Sequence, residues 1–128
     1  MGIILGRKVY QPVPGRIMFR CPGCDTTHEI AVDGSRGWSW NDDGNAPTVS
    51  PSILARWTKF GGGDEEIYRI FDEYKLPEDR ERMLADKRIS VVCHSFVVNG
   101  QWQFLGDCTH ALAGQTVDIP DWPHGEDY

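Results

Sequence analysis

The segment at residues 91–110, VVCHSFVVNGQWQFLGDCTH, constrains the fold most, because two cysteines and two histidines flank the dipeptide Asn99-Gly100 in it. Asn-Gly between β-branched and aromatic residues is the strongest short-range signal for a β-hairpin with a two-residue type I′ turn. The strands then pair outward from residues 98 and 101, and their side chains alternate between two faces. This register predicts that Cys93 and Cys108 share one face while His94 points to the other.

A second pair of cysteines lies upstream, in the turn Cys21-Pro22-Gly23-Cys24. Proline presets the backbone angle at the first turn position, and glycine tolerates the unusual angle at the second, so two sulfurs can converge on one ion. Two thiolates from this knuckle and two from the hairpin would give the tetrahedral arrangement of a closed structural zinc site. We therefore expect Zn²⁺ to be bound by Cys21, Cys24, Cys93 and Cys108, with His110 or His28 as a substitute for one cysteine.

Composition limits the class of protein. The chain has 128 residues, of which 40% are hydrophobic and 25% charged, as in an ordinary globular domain. It has no apolar run of the roughly 20 residues that span a membrane, so we expect a cytoplasmic protein whose reduced thiols favour metal over disulfides. A net charge of −6 argues against a dedicated nucleic-acid binder, whose affinity comes mainly from neutralising phosphates.

The pattern along the chain predicts a mainly β (α+β) fold. Residues 16–20 and 28–32 are expected to form strands on either side of the knuckle, and residues 48–57, which include Pro51, an edge strand or two short pieces. Residues 62–87 carry apolar positions at helical spacing and predict two short helices. We expect one small antiparallel, zinc-stabilised β domain over residues 1–128, with a helical insertion at about 62–87.

A catalytic site is a second interpretation of the same residues. A zinc ion with an open coordination position activates water, and His110 and Asp107 would then act at the metal. Four available thiolates favour a closed ion instead. Ser95 and His94 are adjacent in a strand and so point to opposite faces, which argues against a nucleophile–base pair. We interpret His94 as a partly buried, hydrogen-bonded histidine, and the sequence leans away from an enzyme.

Three segments, CPGC, NAPTVSPSIL and CHSFVVNGQWQFLGDCTHALAGQTVDIP, resemble a family of small proteins from tailed phages and prophages, many of which carry an inherited label of ammonia monooxygenase. The likeness covers most of residues 16–123 and is interrupted by the helical insertion. The resemblance implies a phage or prophage origin and zinc binding, and implies no particular activity. The inherited label does not fit a chain without a membrane span, because ammonia monooxygenase is a membrane-embedded copper enzyme.

These observations lead to one functional hypothesis and two alternatives. The leading hypothesis is a non-enzymatic phage or prophage zinc-binding accessory protein that binds a host or phage protein. The first alternative is a zinc-dependent hydrolase with His110 and Asp107 at the metal. The second is an acidic mimic of nucleic acid that blocks a host defence protein, suggested by acid-rich segments such as residues 41–43 and 64–66. We expect a protein partner, and neither a membrane nor a nucleic acid.

Overall fold

The computed structural model describes residues 2–61, 63–85 and 87–122, apart from the side chain of Asp64. These residues contain nine strands, arranged in two antiparallel sheets, and two helices. The prediction of a mainly β fold with a short helical segment is confirmed. In the part of the chain that the structure describes, neither helix is long and apolar enough to cross a membrane.

The first sheet carries the knuckle. Its strands follow the order β1 (Ile3–Ile4), β2 (Tyr10–Gln11), β3 (Arg16–Cys21) and β4 (Thr26–Ala31). β3 and β4 pair over their full length, with Cys21 opposite Thr26 at the end next to the connecting turn. Alternate residues of β3 are buried, so Cys21 faces the core together with Ile17 and Phe19.

The second sheet contains the predicted hairpin. Its strands follow the order β5 (Ser39–Trp40), β6 (Val49–Phe60), β7 (Arg88–Val98), β8 (Gln101–Phe104) and β9 (Thr116–Asp118). Asn99 and Gly100 join β7 to β8 with φ angles of 51° and 79°, the positive values that a type I′ turn requires. Val98 lies opposite Gln101 and the pairing continues outward, which confirms the register predicted from the dipeptide.

The strand around Pro51 differs from the expectation. The sequence predicts an edge strand or two short pieces at residues 48–57, whereas β6 runs unbroken and lies between β5 and β7 in the sheet. β5 is only two residues long and pairs with Val49 and Ser50 alone. Pro51, which cannot donate to a strand ladder, therefore lies just beyond the end of that pairing, and this explains why an interior strand tolerates it.

Aromatic packing brings the knuckle next to the hairpin. Trp102 of β8 is fully buried and stacks on Phe104 with ring centroids 5.8 Å apart. It also makes a T-shaped contact with Phe19 of β3, with ring centroids 5.9 Å apart, and its indole N–H donates to the carbonyl of Arg20 at 2.8 Å. Because Cys21 follows directly, the β3 thiol is held near the β7–β8 hairpin.

The chain forms two compact units. The first comprises the residues up to Ala55 together with those from Val92 onward, and the second comprises residues 56–91. The second unit contains α1 (Gly63–Glu73) and α2 (Pro77–Ala85), in which Ile70 and Leu84 are buried. Both helices lie inside the predicted insertion at about 62–87, while the prediction of a single domain over residues 1–128 stays a prediction.

Candidate functional site

Strand β7 presents chemically active residues on two faces. From Val91 to Val97 its buried residues alternate with more exposed ones. Cys93 and Ser95 point into the core and are almost fully buried, whereas His94 between them is only half-buried. One strand therefore contributes to two different groups of side chains.

The group on the buried face consists of three cysteines and one histidine. Cys21, Cys24, Cys93 and His110 each place one ligand atom within 4.8 Å of the others. The Sγ atoms of Cys21 and Cys93 are 3.9 Å apart, and Sγ of Cys93 lies 3.5 Å from Nε2 of His110. At ordinary bond lengths, a tetrahedral zinc ion separates two thiolates by roughly 3.8 Å and a thiolate from an imidazole nitrogen by roughly 3.5 Å. These atoms are close enough to bind a metal ion, and their spacing fits tetrahedral coordination.

Glycine in the knuckle makes room for the histidine. A Cβ atom at Gly23 would lie 2.4 Å from the ring of His110, closer than non-bonded atoms approach. The residue after Cys24, Asp25, adopts a positive φ of 53°, which lets the turn close before β4 begins. The knuckle sequence thus supplies both the two thiols and the space that the His110 ring occupies.

The thiols are electrostatically coupled. The Cys93 thiol donates to Cys21 and lowers the pKa of Cys21 to about 4. Desolvation raises the pKa of Cys24 to about 11, and the pKa of Cys93 is also raised, chiefly because its proton is held by the Cys21 thiolate. Without an ion, only one of the three sulfurs is favoured as a thiolate, and the other two keep their protons. A divalent cation would stabilise all three thiolates and displace those two protons.

His110 takes the position that the hairpin register predicts for Cys108. Leu105 still follows that register, but the Cys108 N–H then donates back to the Leu105 carbonyl at 3.2 Å and closes a turn. Thr109, rather than Asp107, consequently donates its N–H to Val92 at 2.9 Å. The residue paired with Val92 is thus two positions later in the chain than the register predicts. As a result, the next side chain, His110, lies towards Cys93.

The remaining predicted ligands lie outside this group. The Cys108 sulfur contacts the backbone of His94, at 3.2 Å from its nitrogen and 3.1 Å from its oxygen. His28 is buried in a T-shaped contact with Trp102, with ring centroids 5.8 Å apart, and it adds to the lowering of the Cys21 pKa without joining the four ligand atoms.

The group on the outward face is a chain of three polar side chains. Nε2 of His94 lies 3.2 Å from the hydroxyl oxygen of Ser52, and Nδ1 lies 3.1 Å from a carboxylate oxygen of Asp107. The imidazole thus has a hydroxyl at one nitrogen and a carboxylate at the other. This order, serine–histidine–aspartate, defines the catalytic triad of serine hydrolases, which is recognised by geometry and not by position in the sequence.

Three different elements deliver these side chains. Ser52 comes from β6 and His94 from the neighbouring strand β7, while Asp107 comes from the turn after β8. Beside Ser52 in the chain, Ile53 is buried in the core, so alternation turns Ser52 towards the opposite face. The Ser52 carbonyl accepts a hydrogen bond from the indole N–H of Trp38 at 3.1 Å, which fixes the backbone at the hydroxyl-bearing residue.

The Ser52–His94–Asp107 group is accessible to solvent. The His94 side chain retains 27% of its accessible surface, and the Asp107 side chain 57%. The four buried residues that could hold an ion, the ion-binding group, are Cys21, Cys24, Cys93 and His110. They lie on the opposite face of β7 from the accessible side chains of Ser52, His94 and Asp107.

The structure separates the residues that the sequence offers for catalysis. His110 joins the cysteines, whereas Asp107 contacts His94 on the other face. Ser95 is buried beside the core, as its adjacency to His94 predicts. Sequence reasoning missed Ser52. Its only local signal is a polar residue next to a core position in a β-rich segment, and the sequence does not reveal that β6 lies against β7.

Comparison with protein families gives a match over most of the chain. The family model for BubE, described as a bacterial ubiquitination-like system serine protease, matches residues 3–105. The matched range contains Ser52 and His94 and ends two residues before Asp107. No curated protein and no solved structure matches the chain.

This match corrects the functional hypothesis. The prediction of a non-enzymatic phage accessory protein is wrong, because the family is described as a serine protease. The description names neither a zinc-dependent hydrolase nor a mimic of nucleic acid. The resemblance to an uncharacterised family of small phage and prophage proteins is supported only as far as membership of a bacterial protein family, and the phage or prophage origin stays a prediction. Since the model covers most of the sequence, the chain belongs to the BubE family of bacterial ubiquitination-like system serine proteases.

Proposed function

We propose that this protein is a serine protease with Ser52 as nucleophile, His94 as general base and Asp107 as the group that orients the imidazole. The observation that carries the proposal is the continuous chain of contacts from the Ser52 hydroxyl through both His94 nitrogens to the Asp107 carboxylate. The family description supports the same reaction class from an independent direction.

Each side chain has a defined part in peptide hydrolysis. As the Ser52 oxygen attacks the carbonyl carbon of the scissile bond, Nε2 of His94 accepts the hydroxyl proton. His94 then donates that proton to the departing amine, and an acyl-serine ester remains. Water attacks the ester with His94 again accepting a proton, which releases the acid and restores Ser52. The Asp107 carboxylate accepts from Nδ1 and holds the ring so that Nε2 faces the hydroxyl.

The substrate we propose is a polypeptide of a bacterial ubiquitination-like system, as the family description suggests. Accessible side chains at the triad suit a segment of a folded protein better than a small molecule enclosed in a pocket. The protein partner expected from the sequence would then be this substrate, bound for cleavage.

The ion we propose for the buried group is Zn²⁺, bound by Cys21, Cys24, Cys93 and His110. Four protein ligands leave no open position for water, which is the arrangement of a structural zinc site. The ion would fix the β3–β4 turn to β7 and to the segment after β8. The hydrolytic chemistry belongs to the side chains on the other face of β7.

Reaction with a fluorophosphonate tests the nucleophile. Such reagents phosphonylate activated serines, so we expect one adduct per chain, located on Ser52 by peptide mass spectrometry. Ser52→Ala should abolish the adduct. The matched control is Ser50→Ala, which removes the other serine beside Pro51 and should leave labelling unchanged. An unmodified Ser52 in the folded protein, or equal labelling of Ser52→Ala, would refute the proposal.

A further inference from the structure

Cys108 is the one cysteine outside the ion-binding group, and its sulfur lies against the backbone of His94. The His94 N–H donates to this sulfur at 3.2 Å, and the Cys108 S–H donates to the His94 carbonyl at 3.1 Å. A thiol is both a weak donor and a weak acceptor, so one side chain contacts both backbone groups of one residue. In a regular sheet, the backbone of a neighbouring strand makes these two bonds.

The Cys108 sulfur lies at a position along β7 where the neighbouring strand, β8, has already ended. β8 stops at Phe104, and only the Leu105 N–H continues the ladder, donating to the His94 carbonyl at 2.9 Å. Beyond Leu105 the chain turns back on itself, so no β8 residue is left to pair with the His94 N–H. Cys108, nearly buried at 8% exposure, supplies the missing acceptor from within that turn.

The same turn carries the carboxylate of the triad. Asp107 directly precedes Cys108, and its carboxylate lies 3.1 Å from Nδ1 of His94. Cys108 therefore contacts the backbone of His94, and Asp107 contacts its ring. Fixing the His94 backbone limits the positions that Nε2 adopts relative to the Ser52 hydroxyl, 3.2 Å away.

We infer that Cys108 is a positioning residue of the protease, which holds the backbone of His94 so that its imidazole stays aligned between Ser52 and Asp107. This inference rests on the proposed function. Its consequence is specific: losing the thiol should slow proton transfer at Ser52 while the ion-binding group keeps all four of its ligands. A displacement of about 1 Å at a catalytic group costs on the order of 10²-fold in rate.

The experiment compares Cys108→Ala, Cys108→Ser and Ser95→Ala with the parent protein. The readouts are the second-order rate constant for fluorophosphonate labelling of Ser52, the metal content and the far-ultraviolet circular dichroism. We expect Cys108→Ala to label about 10- to 100-fold more slowly. Cys108→Ser keeps a donor and an acceptor and should label within a few-fold of the parent. Ser95→Ala removes a buried hydroxyl beside His94 that lacks a hydrogen-bond partner among the described residues, and it should label normally.

All three variants should contain as much metal as the parent. Labelling of Cys108→Ala at the parent rate would overturn the inference, and so would a loss of metal from that variant, which would make Cys108 a ligand. If the alanine variant does not fold, a folded Cys108→Ser that labels 10-fold or more slowly than the parent overturns it equally. If Ser52 of the parent protein does not react, both the proposed function and this inference are refuted. If the parent reacts and Cys108→Ala reacts equally fast, only the inference is refuted.

Discussion

Cys93 and His94 are neighbours in the chain, yet they lie in opposite surroundings. Cys93 is buried with its sulfur among other ligand atoms, where every polar group must be paired or charge-compensated. His94 faces outward, where its ring contacts Ser52 and Asp107 and remains accessible. On the proposed assignments, alternation along β7 separates metal binding from catalysis residue by residue, so substitutions on the two faces should have different effects.

The largest effect is expected from the outward face. Replacing the proposed base, in His94→Ala, should lower the rate of fluorophosphonate labelling at Ser52 by about 10⁴- to 10⁶-fold, the size of effect that removing a triad histidine has on serine-protease catalysis. Metal content and the thermal unfolding midpoint should change little, because the half-buried ring contributes little to the core. Labelling kinetics, elemental analysis and a melting curve on one preparation test this. A variant that loses its metal would break the proposed division between the faces.

The neighbouring substitution on the buried face should do the reverse. Cys93→Ala removes the sulfur that lies 3.9 Å from Cys21 and 3.5 Å from His110. We expect loss of the metal and a fall in the free energy of unfolding of about 4 kcal/mol, since binding energy at a structural ion is folding energy. Urea unfolding followed by tryptophan fluorescence measures it. Full metal content and unchanged stability in Cys93→Ala would contradict the assignment of this ligand.

Acid should weaken metal binding, because the ion must displace protons from cysteine thiols. Since the pKa of Cys24 is raised to about 11 by desolvation and that of Cys93 is also raised, both thiols are protonated at neutral pH without an ion. Metal binding then releases two protons from these thiols, so affinity should rise by roughly 100-fold per pH unit between about pH 7 and pH 9. Cys21, with a pKa of about 4, releases none in this range. Competition with a chelator of known affinity measures the slope, and a flat profile would show that the thiolates are already ionised.

The smallest effect concerns the knuckle. Gly23→Ala places a methyl group 2.4 Å from the His110 ring and should displace that ligand without removing it. We expect metal affinity to fall about 10-fold, a loss of about 1.4 kcal/mol, with Ser52 labelling preserved when metal is in excess. Chelator competition again provides the measurement. Unchanged affinity would mean that His110 does not contribute to binding in solution.

Short-range sequence signals predict much of the backbone that carries the side chains on the two faces of β7. Asn99-Gly100 fixes the hairpin register because both residues tolerate positive φ, and the register alone assigns Cys93 and His94 to opposite faces. The spacing in Cys21-Pro22-Gly23-Cys24 predicts a turn that brings two thiols together, which the structure places beside Cys93. These features depend on contacts between residues close in the sequence, so single-sequence reasoning reaches them.

Two features depend on information that local patterns do not carry. The turn after Leu105 inserts two residues into the pairing and brings His110 in place of Cys108, and no Asn-Gly signal marks it. Ser52 lies next to His94 only because β6 and β7 are adjacent in the sheet, although α1 and α2 separate them in the chain. Pairing across a long insertion is a tertiary property, so the contact between Ser52 and His94 could not be identified from the sequence alone.

The two-residue turn at Asn99-Gly100 has a consequence for how this segment tolerates insertions and deletions. Since the side-chain period of a strand is two, a slip by a single residue sends every side chain to the opposite face. Deleting one residue between His94 and the turn would carry an imidazole into the interior and a thiol out to solvent, abolishing both sites in a single event. Changes in chain length are better accommodated between β6 and β7, where the helices already extend the connection.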